Sequence, residues 1–299
     1  TGGLRVNTAW DKATGTGVNV AVIDTGYRPH ADLSGKFVGG YDFIGDTFVS
    51  NDGNGRDSDA SDPGDKIVVG ECGGGQPTQN QNSSWHGTHV AGTIAAATNN
   101  GVGVAGVAYN AKIVPVRVLG KCGGYTSDIA DAIIWSSGGT VSGVPANANV
   151  AKVINMSLGG GGACDTTTQN AINSARSRGT VVIVAAGNEN QNASNSNPAN
   201  CAGVVTVAAT NRSGGRAFYS NYGTVVDVAA PGGDTSVSAN GILSTLNAGT
   251  GAPGADSYAF YQGTSMATPH VAGVAALMLS KKSTLTPDEV ESMLKSTAR

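Results

Sequence analysis

Three short segments carry the residue types that nucleophilic acyl transfer requires, in the chain order Asp, His, Ser. Val-Ala-Val-Ile-Asp24-Thr25-Gly26 is a β-branched run that ends in a carboxylate and a Gly turn. His86-Gly87-Thr88-His89-Val90-Ala91-Gly92-Thr93 places an imidazole where a helical pattern dense in small residues begins. Gly263-Thr264-Ser265-Met266-Ala267-Thr268-Pro269-His270 sets a hydroxyl at the start of the most apolar helical pattern in the chain. Each has an ordinary structural reading when taken alone: an Asp after a strand caps a turn, a lone His is a packed residue, and a Ser opening a helix is an N-cap. Together they supply a complete reaction. The Ser hydroxyl loses its proton as it attacks, the imidazole takes that proton, and the carboxylate fixes the tautomer and stabilises the imidazolium. At a helix start Ser265 also has free backbone N–H groups and the positive end of the dipole beside it, which suit a developing oxyanion.

Each of these residues stands where a strand or loop meets a helix, so the elements around them matter. Runs at 18–24, 112–119, 150–157, 180–186, 204–209 and 225–230 are β-branched and apolar throughout, not alternating. Such runs predict strands covered on both faces, hence a parallel sheet between helices. Helical patterns fall between and after them, at 87–98, 127–136, 166–177, 265–280 and 287–296. Gly179 suits the residue past the third helix, and Thr286, Pro287 and Glu289 stand in capping-box positions at the last. Alternating strands and helices predict an α/β fold. There is no internal repeat, and no compositional break divides the chain, so residues 1–299 read as one domain.

Composition removes whole classes of function. The formal net charge of −3 argues against nucleic acid or an anionic membrane as partner, since both demand a basic patch. No apolar run approaches the length of a membrane span. Glycine takes 45 of 299 positions, about twice its usual share, without the period of three that collagen needs. The chain opens at Thr1 with no charged-then-apolar leader, so a processed, mature form is expected. Two rival motifs fail on context. Gly101-Val-Gly103-Val-Ala-Gly106 fits GxGxxG but follows a helix, and Ala267 stands where the lipase-type elbow needs its second Gly.

In its three motifs the chain resembles the subtilases, the subtilisin-like serine proteases, over roughly residues 10–279. The resemblance implies a three-layer sandwich with a mainly parallel sheet of about seven strands. It implies a secreted serine endopeptidase in which Ser265 is the nucleophile, His86 the base and Asp24 its orienter. No member of the set is missing, which disfavours a catalytically silent binding module. Ala185-Ala186-Gly187-Asn188-Glu189 matches a fourth family motif and makes Asn188 the oxyanion-hole residue. His30, His89 and His270, in a loop or inside helices, are read as structural. Ser157-Leu158-Gly159 and Gly123-Gly124 resemble the two family segments between which an extended polypeptide substrate adds as a strand. The primary pocket is expected between Ser157–Gly159 and Ala185, Ala186 and Gly187, with Ser196 near its floor and Glu189 at its rim. Small walls imply broad specificity with a preference for a large apolar side chain. Activity is expected to rise as His86 loses its proton, around pH 6–7 for an ordinary imidazole. The family also implies a signal peptide, a folding-assisting propeptide as partner, and a monomer without nucleic acid or membrane.

Structural calcium is the expected cofactor. Carboxylates interleaved with Gly and Asn at 46–65 suit its oxygen coordination, with Asp57, Asp59 and Asp62 as candidate ligands, although no EF-hand pattern is present. The family resemblance adds Asp32 with Asn100 in the loop 99–104, and a weaker site at Asp227 with carbonyls near Ala199 and Val204. The four cysteines are spaced too widely for a zinc ribbon or a CxxC pair, and an even count predicts two disulfides with three connectivities open. The family's spatial neighbours favour Cys72 with Cys122 and Cys164 with Cys201. On the chain-entropy model each closure stabilises by roughly 4 kcal/mol.

Overall fold

The computed structural model describes residues 3–298. Seven strands form a sheet in the order β2-β3-β1-β4-β6-β8-β9, with every pairing parallel. They are β1 (Asn19–Asp24), β2 (Tyr41–Asp42), β3 (Lys112–Arg117), β4 (Val153–Met156), β6 (Val181–Ala185), β8 (Val205–Thr210) and β9 (Val228–Pro231). Two small ribbons lie apart: β5 (Gly160–Gly161) pairs with β7 (Ser196–Asn197), and β10 (Ile242–Asn247) pairs with β11 (Asp256–Tyr261). Helices α1 (Val6–Ala9) and α2 (Thr47–Ser50) are single turns; α3 (His86–Ala95), α4 (Thr126–Ser136), α5 (Thr166–Ser177), α6 (Thr264–Lys281) and α7 (Pro287–Thr297) form the outer layers.

The continuous apolar strands have the expected cause. In β1, Val20 and Val22 join one core with Val90 and Ile94 of α3 and Met266 and Ala272 of α6. Ala21 and Ile23 join the other, with Ile133 of α4 and Ile172 of α5. Successive side chains point to opposite faces, so a strand with helices on both sides packs apolar side chains in both directions. Each fully buried Val or Ile contributes about 1.5–3 kcal/mol to this three-layer packing.

Five of the expected helices and six of the expected strands form, with shifted ends. The helix expected to reach residue 98 stops at Ala95, because Ala96 turns extended and Ala97 N donates to the Asp32 carbonyl. Gly179 follows α5 with φ 83°. At α7 the capping box forms in both directions, Glu289 N to Thr286 Oγ1 at 3.2 Å and Thr286 N to Glu289 Oε2 at 2.8 Å. Sequence analysis does not predict the β10–β11 ribbon, since β11 alternates exposed and half-buried residues, β10 buries the polar Ser244, Thr245 and Asn247, and neither carries a continuous apolar run. The two disulfides are Cys72–Cys122 and Cys164–Cys201, with Cα atoms 5.5 and 5.1 Å apart. The pairing matches the one the family favoured.

Candidate active site

Asp24, the last residue of β1, is fully buried at the carboxyl edge of the sheet. Its Oδ1 accepts from the Thr25 N–H at 2.8 Å and lies 2.8 Å from His86 Nδ1. A carboxylate only accepts, so Nδ1 carries the proton and Nε2 is left as the basic nitrogen. Thr25 holds the same helix by its backbone: its hydroxyl accepts from Gly87 N at 3.0 Å and donates to Asp62 Oδ2 at 2.8 Å. One dipeptide therefore fixes both the His86 ring and the first turn of α3.

That approach depends on Gly87. A Cβ there would stand 2.1 Å from the Gly26 carbonyl oxygen, so any larger residue pushes α3 off the strand end. The entry to α3 is also constrained. Trp85 adopts a left-handed conformation, φ 48° and ψ 33°, and is held by burial and by a 2.7 Å bond from Nε1 to the Gly249 carbonyl. A non-glycine residue in that region stores about 1–2 kcal/mol. The tertiary anchor at Trp85 sustains it beside the imidazole.

Ser265 lies in the first turn of α6. The N-cap is Gly263 and not Ser265, because Gly263, at φ 148° and ψ 162°, makes the turn that only glycine tolerates. Its N–H is held by Tyr219 Oη and by the Gly232 carbonyl, both at 3.0 Å. Ser265 Oγ donates to the Ser157 carbonyl at 3.2 Å, and Ser157 Oγ donates to the Ser265 carbonyl at 2.8 Å. Among the described residues no hydrogen bond joins Ser265 Oγ to His86; such contacts tighten when a substrate binds.

Asn188 is oriented by the same turn. Thr264 N and Thr264 Oγ1 both reach Asn188 Oδ1, at 2.8 and 3.0 Å. The N–H can only donate, which assigns Oδ1 as the acceptor and leaves the Asn188 amide N–H groups facing away, available to a ligand. The Ser265 backbone N–H likewise meets no backbone acceptor among the described residues.

The four histidines separate physically. Burial alone would lower the His86 pKa, but the Asp24 charge and hydrogen bond, with Asp65 and Asp62 behind them, carry it above the ordinary imidazole value. That corrects the pH 6–7 expectation upward. Burial pushes His89 and His270 down to about 4, and each bonds a backbone carbonyl. His30 bonds the Ser257 carbonyl and accepts from Asp32 N. Burial, reinforced by Asp65, raises Asp62 to about 7.

Gly123 and Ser157 line one groove of about 510 Å³ with His86. Its far wall is the segment 65–82, folded on itself by an Ile67–Gln81 bridge and tied to the Gly120–Gly123 edge by Cys72–Cys122. Apart from Cys72, sequence analysis assigns nothing to this segment. Gly124 lies close beside the Val118 carbonyl, and Leu158 packs against the α4–α5 core. Gly159 lies beside the Asn197 carbonyl, and the β5–β7 ribbon sets Ser196 opposite Gly161. The residue missed here is Asn221, fully buried, whose Nδ2 reaches the Ala186 carbonyl, Glu189 Oε2 and Ser196 Oγ at 2.7–3.0 Å. A lone Asn in Ser-Asn-Tyr-Gly carries no sequence signal for this role. Gly187 N donates to Thr264 Oγ1 at 3.2 Å, which ties the pocket wall to the α6 turn.

The expected cation ligands fare differently. Asp32 is fully buried, Oδ1 accepting from Asn100 Nδ2 at 2.6 Å and Oδ2 from Val104 N at 2.9 Å, and no basic side chain pairs with it among the described residues. An enclosed carboxylate with only neutral donors fits a cation. Asp57 and Asp59 share a cavity with Asp52 and the Arg28 side chain, but Asp62 turns inward to Thr25 and does not join them. Among the described residues no three His, Cys, Asp or Glu side chains gather as a metal centre. Asp227 carries the Lys295 ammonium at 2.6 Å, and the Ala199 carbonyl is taken by Thr206 Oγ1.

Comparison with known proteins identifies the family. The Subtilase family model matches residues 15–299. The chain belongs to the subtilase family. An extracellular protease of Xanthomonas campestris pv. campestris is 64% identical over 298 residues, 99% of this chain and 50% of its own length. An extracellular basic protease of Dichelobacter nodosus is 50% identical over 299 residues, 98% of this chain and 48% of its own. The chain thus spans about half the length of these relatives. A solved protease structure from Pseudoalteromonas arctica PAMC 21717 superimposes with a TM-score of 0.98 at 67% identity, covering 100% of this chain and 88% of that one. The α/β sandwich is therefore the subtilase fold, and among the described residues no helix is long and apolar enough to cross a membrane.

Proposed function

We propose that this subtilase domain is a secreted serine endopeptidase acting through a Ser265 acyl-enzyme. The observation that carries the reading is the 2.8 Å Asp24–His86 bond, which protonates Nδ1 and leaves Nε2 as a base at the groove that reaches Ser157, the hydrogen-bond partner of Ser265. Ser265 Oγ attacks the scissile carbonyl while His86 takes its proton. Asp24 stabilises the imidazolium, and the Asn188 amide with the Ser265 N–H receives the oxyanion. His86 then protonates the leaving amine, and water repeats the sequence to release the acyl group.

An extended polypeptide adds along Gly123–Gly124 and Ser157–Gly159 by main-chain bonds, which gives breadth, and the small walls at Ala186, Gly187 and Gly159 admit a large apolar side chain above Ser196. Relatives named extracellular proteases, and two disulfides, favour secretion. A cleaved propeptide and a monomeric mature form belong to the same reading. Ser265→Ala is expected to lower kcat by about 10⁶-fold, the size known for removing the nucleophile of a subtilisin. Full casein hydrolysis by that variant would overturn the assignment.

Calcium is proposed as a structural ion held by Asp32 and Asn100 with carbonyls of the loop 99–104, contributing cohesion and no chemistry. Chelator is then expected to lower the melting temperature by linkage. Asp32→Asn should remove that response, and a chelator-insensitive wild type would contradict the site.

A further inference from the structure

We propose that Asp65 makes the subsite beside His86 select a basic side chain at the second residue on the acyl side of the scissile bond. The inference rests on the peptidase reading above. In an extended substrate, neighbouring side chains point to opposite faces. The residue whose carbonyl Ser265 attacks places its side chain between Ser157–Gly159 and Ala186–Gly187, so the residue before it turns the other way, over His86.

The space it meets there is the groove of about 510 Å³, ample in volume for a lysine side chain, between the Gly120–Gly123 edge and the 65–82 wall. Apart from His86, Asp65 is the one charged side chain lining it; Gln76, Gln81, Asn82 and Ser84 supply neutral polar groups. Asp65 is half-buried and accepts from Ser84 N at Oδ1 and from Ser84 Oγ at Oδ2, both at 2.6 Å. Each carboxylate oxygen keeps a further lone pair for a ligand. No lysine or arginine pairs with Asp65 among the described residues: Lys66 lies against Gly251, and Lys121 is occupied by Glu71. Its uncompensated charge is felt at His86 and at Tyr261. A substrate ammonium in this groove supplies the missing counter-charge, whereas a carboxylate is repelled.

Three fluorogenic peptides, identical except for Lys, norleucine or Glu at that position, test the assignment through kcat/KM. Norleucine matches the lysine stem without its charge. Wild type is expected to favour Lys over norleucine by about fivefold at low salt, with Glu slowest and the ratio shrinking as salt rises. Asp65→Asn keeps an acceptor for Ser84 and should bring Lys and norleucine level, the two peptides being compared at one pH so that any change in the His86 ionisation cancels in the ratio; Asp65→Glu should retain the preference. Equal Lys and norleucine rates in wild type, a ratio indifferent to salt, or a preference that survives Asp65→Asn would each overturn the proposal. Failure of all three peptides together with no fluorophosphonate labelling would instead bring down the peptidase reading on which it stands.

Discussion

Two buried carboxylates stand in one row at the carboxyl edge of the sheet, and they have opposite fates. Asp24 ends β1 and Asp42 ends β2, and both are in register with Arg117 of the strand between them. Asp42 pairs with the Arg117 guanidinium, which also binds Asp52 and the Ser50 and Thr25 carbonyls. Asp24 pairs with an imidazole whose second nitrogen faces the groove. The same acid in the same layer becomes a brace against a partner of permanent charge and a tuner against a partner that titrates. What separates chemistry from structure here is whether the partner can give up its proton.

The comparison breaks most sharply by parallel substitution. Asp24→Asn is expected to lower kcat by about 10⁴-fold, the usual cost of losing the orienting carboxylate, while leaving the fold intact by circular dichroism. Asp42→Asn should do the reverse, losing about 1.5–3 kcal/mol of stability as the buried Arg117 keeps Asp52 as its one carboxylate partner, with near-normal kcat in the folded fraction. If both variants lose activity in proportion to their unfolding, Asp24 is merely a second brace.

Asn188→Ala should follow, with kcat lowered by about 10²–10³-fold and KM little changed, a magnitude measured for the corresponding donor of subtilisin. It sharpens the contrast because Asn188 bonds Thr264 through its oxygen alone, so an amide aimed at the reaction is lost and only a weak structural tie goes with it.

The smallest effect is on pH and stability. Asp62 titrates near 7 in the folded chain and near its ordinary, lower value when unfolded, so the folded state holds an extra proton in between. Its contribution favours folding at the acid end of that window and is withdrawn as pH rises toward 7. His86, also raised, contributes stability fully below the ordinary imidazole value and loses it as pH climbs through its folded one. His89 and His270, held down to about 4 by burial, oppose them by gaining stability as pH rises toward the ordinary imidazole value, so the Asp62 contribution is read as a difference: in an inactive Ser265→Ala protein, Asp62→Asn should raise the melting temperature more at pH 7 than at pH 4.

The candidate trio and the sheet were legible because each rests on local signals: apolar runs for the strands, motif residues at a strand end for Asp24 and at helix starts for His86 and Ser265, and a family motif for Asn188. The residues that hold them were not. Thr25, Trp85, Arg117, Tyr219 and Asn221 act through contacts up to 164 residues distant, as in the Trp85–Gly249 bond, and their identities alone predict ordinary turn or core positions. The acidic loop misled for a related reason. Its carboxylates face different partners, Asp46 capping α2, Asp52 on Arg117, Asp62 on Thr25 and Asp65 on Ser84, and only the fold reveals which way each one points.

The most direct test of the Asp24–His86–Ser265 assignment is the pH dependence of fluorophosphonate labelling, with the modified residue located by peptide mapping. A single label on Ser265, forming at a rate that rises through an ionisation above 6.5 and drops away in Asp24→Asn, is the expected result. Labelling on another residue, or at a rate unchanged by pH and by the loss of Asp24, would contradict it.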